Sequence, residues 1–155
     1  MTLFFFAAGV PMTAGNKSAI PFRGKDRKLH VRVVDGADMP LKDGTRNRGK
    51  DWRKIIQAAA KQAMGDQPMS VGPILLRLTF SLPRPKSHLC NAWDVRSNAP
   101  HYHVSKPDLS KLVRAVEDAL TGICWRDDSQ IVRHETSKFY NHVSIGVAVE
   151  IEELT

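Results

Sequence analysis

The sequence predicts a single α+β domain, in which two main helices pack on one face of a small mixed β-sheet. The chain has 155 residues with 42% hydrophobic content, which is enough for one core and not obviously for two. Two segments repeat apolar residues at helical spacing, whereas other segments alternate apolar and polar residues as half-buried strands do. The predicted order along the chain is β, β, α, β, α, β, β, which is typical of α+β proteins.

The amino-terminal half contains two predicted strands and the first predicted helix. The apolar run Leu3–Ala8 is predicted to be a core strand, and a polar loop from Asn16 to Lys28 follows it. A short strand is predicted over residues 30–34, before a turn rich in Gly, Lys and Arg. Apolar residues then recur at helical spacing from Lys50 to Met64, and Gly65 ends the run.

The carboxyl-terminal half contains three further predicted strands. Residues 74–82 alternate in part, and prolines end the run. A long polar loop at about 84–105 then leads into the second predicted helix. The last two strands are predicted over residues 131–139 and 143–151, and the final one alternates clearly.

The second predicted helix is amphipathic and has acidic residues at both ends. It extends from Leu109 to about Thr121, because Asp108 is an N-cap candidate and Gly122 supplies a stop signal. Asp127 and Asp128 follow after a short link, and a chain that turned back there would bring them toward a neighbour of Asp108. Adjacent carboxylates repel, so such a pair usually has a cation nearby, although an ordinary Asp-rich turn is the alternative explanation.

The chain is basic, with a formal net charge of +7 and a pI near 9.7. Its Lys and Arg residues are dispersed along the sequence, which suits a broad phosphate-contacting surface. A nucleic acid is therefore the leading anionic partner. A basic protein without specific binding is the alternative, because charge alone argues only for electrostatic attraction.

The cysteines, the apolar segments and the polar loop indicate whether the chain could be a disulfide-rich, membrane or zinc-binding protein. Cys90 and Cys124 stand in different contexts, which argues against a disulfide framework and favours a reducing cytoplasm. No apolar stretch approaches the ~20 residues of a membrane span, so we expect no membrane partner. The sequence also lacks a motif for a small-molecule cofactor, so we expect none. His88, Cys90, His101 and His103 could bind zinc, but their spacing is not that of a standard finger, and a polar loop that grips DNA is the alternative.

The segment from Lys106 to Val132, which reads KPDLSKLVRAVEDALTG and then, after two residues, WRDDSQIV, resembles the signature of the RusA family of Holliday junction resolvases. That family's pattern has a D-x-D pair followed by N-L, then Lys, D-A-L and D-D-[S/A]-Q. The ordered spacing covers 27 residues. A looser likeness covers Gly9-Val10-Pro11 at the end of the first strand and Asn16-Lys17 after it. The resemblance implies a RusA-like fold.

The resemblance also implies a metal site that hydrolyses a DNA phosphodiester bond. Matched position by position, Asp108 and Asp128 are the metal-binding residues, with Asp127 as their acidic neighbour. The implied cofactor is Mg²⁺, with Mn²⁺ as a substitute, and such a metal lowers the pKa of an attacking water. The candidate DNA contacts are basic residues, three near these positions and one after the first strand: Lys106, Lys111, Arg126 and Lys17.

Two catalytic positions depart from the family pattern. The second Asp of the D-x-D pair is Ser110 here, which is a neutral and weaker ligand for Mg²⁺. The Lys that assists catalysis is Arg114 here, which can stabilise charge on a phosphate but does not release its proton easily. Glu117 lies roughly 10 Å along the helix from Ser110, too far to replace the missing Asp directly. We expect Glu117 to pair with Arg114 at i,i+3.

The implied function is metal-dependent resolution of four-way DNA junctions in recombination and repair. Such a junction is cut on two strands related by a two-fold axis, so we expect a homodimer with one site per subunit. One alternative is a branched-DNA-binding protein in which Ser110 records weakened or lost catalysis, and another is a broader flap or fork nuclease. The family suggests a phage or prophage setting, with action in the host cytoplasm.

Overall fold

A computed structural model describes residues 2–13, 15, 17–35, 49–91 and 94–155, without the side chains at positions 17, 18, 34 and 35. Asn16, the basic turn at 36–48 and the Lys17 side chain, all singled out in the sequence, lie outside the described residues. The strands are β1 (Thr2–Ala8), β2 (Lys17–Arg23), β3 (Leu29–Asp35), β4 (Ile74–Pro83), β5 (Ile131–Asn141) and β6 (Gly146–Glu153), and the helices are α1 (Gly49–Met64) and α2 (Leu109–Leu120).

The described strands form a mixed sheet in the order β1-β6-β4-β5 and a separate ribbon of β2 and β3. The pairs β1–β6 and β6–β4 are antiparallel, whereas β4 and β5 are parallel. Parallel neighbours need a crossover connection, and the chain between β4 and β5, which contains α2, provides it. This topology confirms the predicted single α+β domain with a mixed sheet.

The core lies between one face of this sheet and the two helices. Because side chains alternate along a strand, one face of β1, β4 and β6 is buried and the other is open. Among the described helices, neither is long and apolar enough to cross a membrane. The largest fully buried side chains of the core are Ile56, Ile74, Leu76, Leu78, Phe80, Leu112, Val116, Leu120, Trp125, Val147, Val149 and Ile151.

The structure corrects two predicted elements. Residues 17–23, predicted to lie in a polar loop, form β2. Pro21 obscured this strand, but a two-stranded ribbon has only edges, where a missing N–H is tolerated. The last strand begins at Gly146 rather than at Val143. The reason is that Asn141 Oδ1 accepts hydrogen bonds from the next two backbone N–H groups (2.7 and 2.9 Å) and holds a turn.

The open face of the sheet carries a charged cluster centred on Arg77. Its guanidinium donates to Glu135 on β5 (2.8 Å) and to Glu150 and Glu152 on β6 (2.7 and 2.9 Å). The hydrogen bond to Glu135 is the largest of the effects that raise the pKa of Arg77 above its usual value. These ion pairs link the three strands that lie behind α2.

Candidate active site

The amino-terminal end of α2 presents the carboxylate of Asp108 to solvent. Asp108 occupies the N-cap position, and its backbone oxygen accepts a hydrogen bond from Leu112 N (3.1 Å). Its side chain makes no capping bond and is 56% exposed, with Lys111 Nζ 3.5 Å from Oδ2. A capping role therefore does not account for this carboxylate, whose oxygens remain accessible to a cation.

Strand β5 holds the segment that precedes α2. Lys138 Nζ donates to the carbonyls of Ser105 and Pro107, each at 2.8 Å. The Tyr140 hydroxyl lies 3.3 Å from Ser105 Oγ. Because these contacts lie on both sides of Lys106, they fix the approach of the chain to the helix and, with it, the position of Asp108.

Asp127, beyond the other end of α2, is used to build a turn. Its carboxylate accepts from Ser129 N (2.9 Å), and Gln130 Oε1 accepts from Asp127 N (3.1 Å), which completes a capping box. Hydrogen bonding with the side chain and then the backbone of Ser129 lowers the pKa of Asp127. Gln130 Nε2 also donates to the carbonyls of Ser70 and Gly72 (3.0 and 3.2 Å), which ties the turn to the start of β4. An Asp-rich turn therefore accounts for Asp127, and its role as a metal ligand stays a prediction.

Asp128 is held at the carboxyl-terminal end of α2 by two donors. The Thr121 hydroxyl donates to Asp128 Oδ1, and Trp125 Nε1 donates to the same oxygen at 3.1 Å. Trp125 is fully buried, so its indole is a rigid support. Both bonds are to Oδ1, and the side chain is otherwise on the surface. The structure therefore orients this carboxylate through one oxygen.

Asp108 and Asp128 lie at opposite ends of one helix. With 12 residues in α2, the two ends are ~18 Å apart at a rise of 1.5 Å per residue. The chain turns back at residues 121–125, but this turn leaves Asp128 beside Thr121 and does not bring it to Asp108. Across the described ranges, no three His, Cys, Asp or Glu side chains come together as a metal site. Within one chain the two aspartates are therefore not neighbours, and their binding of one metal stays a prediction.

The polar stripe of α2 joins these two ends. Ser110, Arg114, Glu117 and Thr121 follow one another at intervals of three or four residues, so they share a face of the helix. Ser110 and Arg114 are exposed, whereas Glu117 is partly buried. The stripe therefore places a hydroxyl and a guanidinium on the surface between the two aspartates.

Glu117 pairs across the interface with β5 rather than along the helix. Its Oε1 lies 3.0 Å from His134 Nε2, whereas pairing with Arg114 was expected from the sequence. Burial raises the pKa of Glu117, and the charges of Asp128 and Asp118 add to this effect while His134 opposes it. The His134 contact was missed because it depends on the position of β5 against the helix, and the sequence holds no local signal for it.

A cleft of about 570 Å³ opens beside Asp108. Its walls come from residues 10–13 after β1, the end of β4, His103, and the segment that starts α2. Lys106 and Lys111, both predicted DNA contacts, lie on this cleft next to Asp108. The third described contact, Arg126, is exposed at the Asp128 end. Sequence reasoning missed the cleft, although the likeness of Gly9-Val10-Pro11 to a known family had indicated that this segment matters.

The histidines of the polar loop pack on aromatic rings. His88 meets the Tyr140 ring edge-on at 5.1 Å between centroids, and His103 lies 4.5 Å from the same ring. His101 contacts Phe139 at 4.8 Å. These contacts hold the described part of the loop along the outer edge of β5, and they do not gather the histidines into the zinc site considered above.

Comparison with known proteins identifies the same family that the sequence signature indicates. A family model described as Endodeoxyribonuclease RusA matches residues 37–152. The chain is also similar to the uncharacterized protein YqaN of Bacillus subtilis (strain 168), with 29% identity over 140 residues. The matched region covers 88% of this chain and 87% of that relative.

Proposed function

Since the chain belongs to the RusA endodeoxyribonuclease family, we propose that it is a divalent-metal-dependent nuclease that resolves four-way DNA junctions by paired hydrolysis of two phosphodiester bonds. One observation carries the proposal. The two family-matched carboxylates are presented on the surface, Asp108 without a capping bond and Asp128 oriented by Thr121 and Trp125. The role in recombination and repair is part of the same proposal.

The donor set fits a hard divalent cation, because carboxylate oxygens are the ligands that Mg²⁺ and Mn²⁺ prefer. Asp108 and Asp128 would hold the ion, which would supply an activated water and offset charge on the phosphate. Ser110, one residue beyond Leu109, would hold a water where the family has a carboxylate. Arg114, whose guanidinium is a planar fork of donors, would bind the phosphate oxygens and stabilise their negative charge.

The length of α2 supports a site built from two chains. A single ion cannot reach carboxylates ~18 Å apart, because its bonds to oxygen are only ~2 Å long. In a two-fold symmetric dimer with antiparallel α2 helices, Asp108 of one copy can meet Asp128 of the other, and the same contact recurs by symmetry. Such a dimer would have two sites, as many as the strands that a resolvase cuts.

Hybrid dimers test this arrangement. Asp108→Asn and Asp128→Asn chains, each with its own affinity tag, are co-expressed and purified through both tags. In a two-chain site, one site of the hybrid keeps both carboxylates and the other loses both. We therefore expect the hybrid to nick one strand of a synthetic junction with Mg²⁺, although both parent homodimers are inactive. Asp66→Asn, an exposed carboxylate beyond α1, is the matched control and should cut normally.

The outcomes of this experiment are distinct. If the wild-type protein cuts and the hybrid is as inactive as its parents, each site lies within one chain. If the wild-type protein retards the junction but does not cut it with Mg²⁺ or Mn²⁺, the nuclease proposal is wrong. Retention of junction binding by Asp128→Asn would show that the carboxylate acts in chemistry rather than in binding.

A branched-DNA-binding protein with weakened catalysis is the second candidate, and Ser110 favours it. A serine at this position removes one negative ligand from the metal site. Ser110→Asp restores it, so we expect cleavage at lower Mg²⁺ concentrations. If Ser110→Asp instead reduces cleavage, the site is adapted to serine.

A nuclease that also cuts flaps and forks is the other alternative to a junction-specific resolvase. Parallel assays on flaps, forks and linear duplex measure the substrate range. Because Lys106, Lys111 and Arg126 are exposed on the α2 side of the molecule, we expect junction binding to weaken steeply with salt. A salt-independent affinity would contradict phosphate contacts. We place the reaction in the cytoplasm, where phage and bacterial DNA recombine.

A further inference from the structure

The cleft beside Asp108 has the size and the chemistry of a ligand site that the metal does not explain. Its volume of about 570 Å³ lies within the range of small-molecule pockets. Val10, Met12, Leu82 and Pro83 line one part of it, and Val10 is 53% exposed there. A metal ion or a bare phosphate has no use for an apolar wall. The ligand therefore has an apolar surface as well as charge.

The rim of the cleft at the start of α2 is cationic. Lys106 and Lys111 line it, and the amino-terminal end of α2 begins between them. Lysine ammonium groups and a helix amino terminus both attract phosphate oxygens. Asp108 lies on the same rim, so a phosphate bound there sits next to a predicted metal ligand.

His103 supplies a second, independent observation. Among the described side chains that line the cleft, it is a buried polar one, at 7% exposure, and its Nδ1 has no hydrogen-bond partner in the described structure. Burial, and then the charge of Lys138, lower the pKa of His103, which favours the neutral form of the ring. A neutral imidazole carries one donor and one acceptor, which suits the edge of a nucleobase better than a phosphate. A buried polar atom without a partner is costly, which favours a ligand that bonds to this nitrogen.

We propose that this cleft receives one unstacked nucleotide of the DNA junction, with its base against the Val10 wall and His103 and its phosphate between Lys106 and Lys111. This inference rests on the proposed function. Extruding a base is least costly where pairing and stacking are already interrupted, as at the branch point of a junction. Because the bound phosphate lies beside Asp108, the nucleotide held in the cleft decides which bond is cut. The cleft is thus a specificity site for sequence near the branch point.

Fluorescence of 2-aminopurine tests base extrusion directly. Junctions carry this base singly at each position within three nucleotides of the branch point, and binding is measured in EDTA so that no strand is cut. We expect a several-fold rise in fluorescence at one position, because an unstacked 2-aminopurine is no longer quenched. Val10→Trp fills the cleft and should abolish the rise while the junction is still retarded in a gel. Val71→Trp, 77% exposed at the other end of β4, is the matched control and should behave as wild type.

The inference is overturned if the wild-type protein binds the junction but no position brightens, or if Val10→Trp brightens as much as wild type. A second measurement separates the cleft from the junction activity. Histidine-labelled protein is titrated without metal with each deoxynucleoside 5′-monophosphate and with inorganic phosphate, and the His103 ring signals are followed by NMR. A saturable shift with nucleotides, absent with phosphate, supports the inference even if junctions are not cut. The same shift with phosphate alone, or none at all, refutes it.

Discussion

Thr121→Val tests the support of Asp128. The substitution keeps the shape of the side chain and removes the hydroxyl that donates to Asp128 Oδ1, while Trp125 Nε1 still donates at 3.1 Å. A hydrogen bond to a charged group contributes about 1.5–3 kcal/mol. Such a support of a metal ligand typically changes metal affinity by 10- to 100-fold. At 1.36 kcal/mol per factor of ten, the two ranges agree.

We therefore expect the Mg²⁺ concentration at half-maximal junction cleavage to rise by about 10- to 100-fold in Thr121→Val. The rate at saturating Mg²⁺ should change much less, because Asp128 keeps its second donor. The hydroxyl also lies 3.0 Å from Glu117 O, so thermal unfolding must show that α2 is intact. Thr79→Val, an exposed threonine on β4, is the control. An unchanged Mg²⁺ midpoint in a protein that still cuts would show that the Thr121 hydroxyl does not support the metal site.

Three further predictions concern stability and reactivity. Phe80→Ala empties a fully buried position of β4, so we expect the free energy of unfolding in urea to fall by about 3–5 kcal/mol. A decrease below about 1 kcal/mol would contradict the packing described. Burial raises the pKa of the Cys124 thiol to about 12, so at pH 8 Ellman's reagent should modify exposed Cys90 quickly and Cys124 only after unfolding; two fast thiols would refute this. The pKa of Asp127 is lowered in the folded state, so the ionised Asp127 side chain stabilises the fold above pH 3.8, and this stabilisation is lost as the pH falls below that value. An NMR titration of the Asp127 carboxyl group with a midpoint at or above pH 3.8 would contradict the capping box.

Local sequence signals predicted the parts of this fold that local physics decides. The limits of α2 follow from Asp108, the apolar stripe and Gly122, and the structure confirms them within a residue. The strands of the main sheet were likewise visible as apolar or alternating runs. By contrast, β2 was missed because Pro21 weighs against a strand unless the strand is known to have a free edge.

The geometry of the candidate site could be predicted only in part, because the sequence motif does not contain the distances between its residues. The matched residues were located by resemblance, and the separation of Asp108 and Asp128 follows from the length of the helix between them. The Glu117–His134 pair and the cleft at His103 could not be predicted in this way, because both arise where β5 and the segment after β1 come near α2 across long stretches of sequence. Pairwise contacts of this kind depend on register, which a single sequence leaves open.

The parallel pairing of β4 with β5 has a consequence for the order of folding. Strand β5 can join the sheet only after the crossover has been laid down, and contacts this distant in sequence form late and slowly. The turn that carries Asp128 is part of that crossover, and Gln130 fastens it to the carbonyls of Ser70 and Gly72 beside β4. A nascent or partly folded chain therefore lacks the bonds that fasten the turn of Asp128 to the start of β4. The support of this predicted metal ligand is thus completed only when β4 has folded, so the site matures together with the sheet.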